Sequence, residues 1–70
     1  MSKKAAELHK KAAEHCTHAA RHHGEAAKAY EAGHHEKAAH HALTASAHEL
    51  NAHGHAQEAA KTHAEEHGKK

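Results

Sequence analysis

Read in steps of seven from Ser2, the chain gives SKKAAEL, HKKAAEH, CTHAARH and HGEAAKA, followed by Tyr30. The Ala-Ala pair returns at 5/6, 12/13, 19/20 and 26/27, and the residue three before each pair is Ser2, His9, Cys16 or His23. A small apolar position that recurs every seven residues keeps one edge of a helix apolar along its length, which is a coiled-coil-like pattern. In this frame Ala occupies d and e, while His9, Cys16, His23 and Tyr30 occupy a and point inward. Ser2 is a good N-cap, so the spacing predicts a first helix over about 3–32. Gly24 lies inside it and costs about 1 kcal/mol relative to Ala, which marks a kink or a close helix contact.

The pattern breaks at EAGHHEKAA, where Gly33 is well placed as a C-terminal cap before a turn at 33–35. A second helix follows over about 36–67. Its small residues also return at sevens (Ala38/Ala39, Ala45/Ser46, Ala52, Ala59/Ala60), while His41, His48 and His55 form a seven-step row of their own. The segment AAKAYEAGHHEKAAHHAL resembles one tetratricopeptide repeat, in which Gly33 falls at the turn between two helices. Two helices of similar length joined by so short a connection lie antiparallel. The expected fold is all-α: residues 1–70 form a single helical-hairpin domain that pairs with a second chain into a four-helix bundle. Strong polarity favours disorder instead, but the heptads and the Ala content argue against it.

Composition supplies the reason for pairing. The apolar residues are 20 Ala, three Leu, one Met, one Cys and one Tyr, with no Val, Ile, Phe, Trp or Pro in 70 residues. Ala buries little area, so a lone hairpin gains little from burial, and a homodimer, bound metal or both are expected. Net charge is +1 with His neutral, and no Lys/Arg patch with stacking aromatics is present, so nucleic acid is not an expected partner. The 14 His would take the charge toward roughly +15 in acid. No apolar run approaches a membrane span and MSKKAAELHKK lacks the apolar centre of a secretory signal. The sequence as written reads as cytoplasmic; the alternative is a periplasmic protein given a new start Met after loss of a signal peptide. One cysteine makes no internal disulfide.

Candidate chemistry follows from the frame. With the turn near 34, antiparallel neighbours have numbers that sum to about 68, which places Cys16 opposite Ala52 and His53, and His23 opposite Ala45 and Ser46. The inward face of the second helix is then His35, Ala39, Ala42, Ser46, Glu49, His53, Ala56 and Ala60. Glu49 and His53 are an i, i+4 pair on it and meet the Cys16 thiol, with His23 or a ligand from a second hairpin completing an inner metal site. A buried carboxylate beside imidazoles and a thiol is costly unless it coordinates a cation. Cys16 and His23 are two turns apart, so His9 and His23 belong to separate layers. The bland reading of the same spot is a small buried thiol beside a Glu49–His53 hydrogen bond. An outer stripe carries His15, His18 and His22, in which His18 and His22 have the i, i+4 spacing of helical metal sites; His63 and His67 repeat it.

Imidazoles with one thiolate suit copper, zinc and nickel, and the affinity order puts copper first, with zinc or nickel as alternatives. There is no HExxH, no CxxC and no inward ExxH. An interior Cys on a helix with no strained loop and no room for a substrate pocket is a poor nucleophile, so catalysis is not expected.

The stretches HKKAAEHCTHAARHHGEAA and HALTASAHELNAHGHAQEAA resemble the small His-rich bacterial helical-hairpin proteins that assemble into copper-binding four-helix bundles. The resemblance implies a dimer and copper as the ion. Unlike the cysteine-rich copper-storage bundles, this chain has only Cys16, which puts storage by thiolate clusters in doubt. The expected function is therefore transition-metal buffering, carriage or sensing through Cys16, Glu49 and His53 inside and weaker His outside. The alternative is a structural or interaction module whose His act as a pH switch without a specific metal.

Overall fold

A computed structural model describes residues 2–67, and the side chains of 3–65. Two helices, α1 (Ser2–Glu31) and α2 (His35–His67), pack against each other as an antiparallel hairpin 56 Å long. Ala dominates both, and no Pro interrupts either. The three Thr and Asn51, weak helix formers, turn their side chains back to the carbonyl four residues earlier: Thr17 to Ala13, Thr44 to His40, Thr62 to Glu58, and Asn51 Nδ2 to Ala47. Ser2 is itself the first helical residue rather than the cap that precedes the helix.

The turn is a Schellman closure. Gly33 takes φ +81°, the His34 N–H donates to the Ala29 carbonyl at 2.8 Å, and the Gly33 N–H donates to the Tyr30 carbonyl at 3.1 Å. The His34 carbonyl then accepts the Ala38 N–H at 2.9 Å, which starts α2. Glu36 in the first turn of α2 and Lys28 in the last turn of α1 have the signs that each helix dipole favours.

The core is a seam of alanines. Ala19, Ala26 and Ala29 on α1 and Ala38, Ala45, Ala52 and Ala59 on α2 are buried, Ala38 and Ala45 completely; Thr62 joins them with its hydroxyl satisfied. Among the described residues no side chain larger than alanine is fully buried. Half-buried residues complete the pattern. Along α1 the seam runs Ala5, Leu8, Ala12, His15, Ala19, His22, Ala26, Ala29, and along α2 Ala38, His41, Ala45, His48, Ala52, His55, Ala59, Thr62, in alternating steps of three and four.

This seam corrects the frame expected for both helices. On α1 the first Ala of each pair faces inward, and the residue three later, not three earlier, shares the seam. His9, Cys16, His23 and Tyr30 are exposed. On α2 the expected face (His35, Ala39, Ser46, Glu49, His53, Ala56, Ala60) is also exposed, with only Ala42 half-buried, and the buried set lies one residue away, a rotation of about 100°. Leu8 contributes to this choice on α1. It is the only large aliphatic residue described on α1, it is half-buried, and it shares its column with His15, His22 and Ala29. Neither interior glycine is a close-approach point, since a Cβ at Gly24 or Gly54 would meet nothing within 4 Å.

Candidate functional site

Alanine lets the helix axes approach closely, and the longer imidazoles in the same seam have no room between them. They lean to one edge and stack. The result is a ladder of imidazoles along one side of the hairpin. His15 Nδ1 lies 2.9 Å from His48 Nδ1, and His22 Nδ1 lies 3.0 Å from His41 Nδ1. His22 also stacks on His48 (ring centroids 5.7 Å, 12° between planes), which joins the two pairs; His55 stacks on His15 at 5.4 Å and His18 on His48 at 5.0 Å. His40 meets His41 edge-on at 5.8 Å. The residue numbers of each hydrogen-bonded pair sum to 63, the register of the seam.

Each Nδ1 pair requires one ring to donate and the other to accept, so neither pair survives with both rings protonated. Arg21 favours one tautomer in one of them. Its Nη2 lies 3.5 Å from His22 Nε2, and a guanidinium only donates, so Nε2 accepts, the neutral ring carries its proton on Nδ1, and His22 donates to His41. The pKa of His22 is lowered from 6.5, first by desolvation at the seam and then by Arg21, His41, His48 and His18. That of His48 is lowered by desolvation, then by His18, His15 and Arg21.

The other edge of the hairpin holds the residues expected inside. Cys16, Glu49 and His53 line one shallow groove with Ala12, Ala52 and Ala56, so the two helices do bring these three side chains to one place. The groove is open to solvent, however, and the Cys16 thiol is exposed. Glu49 Oε1 instead accepts from or pairs with His23 Nε2 at 3.1 Å, with both side chains more than half exposed. The burial argument for a cation at Glu49 is therefore removed, because water already solvates the carboxylate. His9 is exposed on the same side, and Tyr30 meets His35 edge-on at 5.9 Å. The side-chain partner of His23 is Glu49.

Of the outer pair, His18 is exposed and His22 half-buried; both stack on His48, and His22 also pairs with His41. The His63–His67 pair falls partly on the His67 side chain, which lies outside the described residues. Among the described residues, no three His, Cys, Asp or Glu side chains surround a common point as a ready-made metal shell.

The spacing places His15 on the outer stripe and His41, His48 and His55 in a row of their own, but it does not show that they meet across the two helices. Their signal was present: His41, His48 and His55 repeat at sevens, and His15 and His22 follow Leu8 at sevens. No family model, curated protein or solved structure matches this chain. No described helix is long and apolar enough to cross a membrane.

Proposed function

We propose that this protein binds a transition metal, copper before nickel or zinc, on the paired imidazoles of its seam edge, and so buffers, carries or senses the ion. The observation that supports this is the pair of cross-helix Nδ1 approaches at 2.9 and 3.0 Å. With metal–nitrogen bonds of about 2.05 Å, nitrogens that far apart subtend about 90° at a shared ion. That is the angle between neighbours in a tetragonal shell, which suits Cu(II) and Ni(II), and the affinity order favours copper of the two. The metal replaces a bridging N–H, whose proton moves to Nε2, and at His22 that move displaces the Arg21 guanidinium from Nε2; above about pH 7 no net proton is released. His18 and His55 stand one ring away as further donors, and water completes the shell. Two hairpins together form the four-helix assembly that a core of alanines calls for.

Titration of the metal-free, untagged chain with Cu(II), followed by visible absorption and electron paramagnetic resonance, tests the reading. Two nitrogen-rich sites per chain are expected. His48→Gln removes one, His41→Gln the other, and Cys16→Ser neither. Unchanged stoichiometry and affinity in the His41→Gln/His48→Gln double variant would sink it.

A second reading, a pH-responsive structural or interaction module, is favoured by the lowered pKa of His22 and His48. Melting with and without one equivalent of copper separates the two, since an ion bound to the native state raises the melting temperature.

A further inference from the structure

α2 has a second apolar edge that the hairpin leaves open. Leu43 and Leu50, two of the three leucines in the chain, are 73% and 74% exposed, whereas every buried apolar side chain is alanine. A single exposed leucine is ordinary. Two in heptad register, with His40, Ala47 and Gly54 filling the alternate positions, make a stripe, and at about 100° per residue it lies almost opposite the seam. Gly54 is unexplained within the hairpin: it lacks a positive φ, and a Cβ there would meet nothing.

We propose that this stripe is the contact surface for a second copy of the chain, α2 against α2, antiparallel about a two-fold axis. The inference rests on the dimeric reading above and adds its surface and register. What selects a second copy is that the stripe is complementary to itself. When opposed numbers sum to about 97, Leu43 lies over Gly54 of the second copy and Leu50 over its Ala47, so each large side chain meets a small one. The same register sets Glu36 opposite Lys61 of the second copy and, on the flank, Lys37 beside its Glu58, each pair occurring twice. A parallel arrangement would oppose Glu36 to Glu36 and Lys61 to Lys61. Glu58 and Lys61 already pair within α2 at 3.9 Å, so each end of the interface becomes a network of both signs. The helices then run in the order α1, α2, α2, α1, a row rather than the bundle expected from the sequence, with the hydrogen-bonded imidazole pairs outside the new contact and His40 within it.

Sedimentation equilibrium of the full chain at pH 7.5, with chelator and reductant, reads the mass directly. The expected mass is about 15 kDa, twice 7.5 kDa. Leu50→Lys should weaken the dimer about 100-fold or more, because each site is buried twice. Glu36→Lys and Lys61→Glu should each weaken it by about threefold or more, and the Glu36→Lys/Lys61→Glu double variant should restore it. These charge variants keep the test valid if Leu50→Lys fails to fold. A monomer at all concentrations overturns both the dimer and its surface. A dimer indifferent to Leu50→Lys and to the charge exchanges overturns the surface alone.

Discussion

Replacing Ala45 by Leu tests how packing and the imidazole ladder depend on each other. Ala45 is completely buried where α1 and α2 meet. Axes of packed helices lie about 8 to 10 Å apart according to the side chains between them, and a seam whose buried apolar side chains are alanine sits toward the short end. Leucine adds three carbons where no space exists, so the expected effect is destabilisation by about 1–3 kcal/mol, although the variant is more apolar. For a chain of this length each kcal/mol moves the melting temperature by about 4–8 °C. The spread of the helices also reaches the site. One ion spans two nitrogens only up to about 4.1 Å, twice the bond length. From 2.9 and 3.0 Å that leaves little more than 1 Å of margin, less than the change in axis distance. Ala45→Leu should therefore melt lower by circular dichroism at fixed chain concentration and bind copper more weakly in the same titration. Ala6→Leu, exposed on α1 and outside both the seam and the leucine stripe, serves as the control that leaves both ladder pairs intact. If Ala45→Leu raised the melting temperature and left copper binding unchanged, the argument that alanine sets the ladder spacing would be wrong.

Stability should fall in acid: the folded pKa values of His22 and His48 lie below the ordinary 6.5, so the unfolded chain binds more protons. The contribution is complete above about pH 6.5 and is lost as pH falls through 6.5 toward the folded values, which melting curves from pH 8 to 5 would show. Gly33→Ala should lower stability by about 1–2 kcal/mol, because a Cβ is strained at φ +81°; denaturant unfolding measures it. Glu49→Gln should change the melting temperature little, since the His23–Glu49 pair is exposed and such pairs contribute about 0–1 kcal/mol.

What could be read from residues alone was periodic and local. Alanine every seven positions and the EAGHHEKAA break specify two helices and a tight turn, because helix propensity, glycine at positive φ and heptad repetition act over short stretches of chain. The same residues left the rotation of each helix undetermined. With Ala at both positions of every pair, the seam can pass on either side of it at little difference in buried area, and the two choices exchange Cys16 and His23 for His15 and His22. Only packing the helices against each other decided between them, since Leu8 and the row His41, His48, His55 can be covered together in one arrangement and not in the other. That choice moved the thiol and the carboxylate into water and brought imidazoles from residues 33 and 19 positions apart into hydrogen-bonding distance, a relation that no spacing within one helix contains.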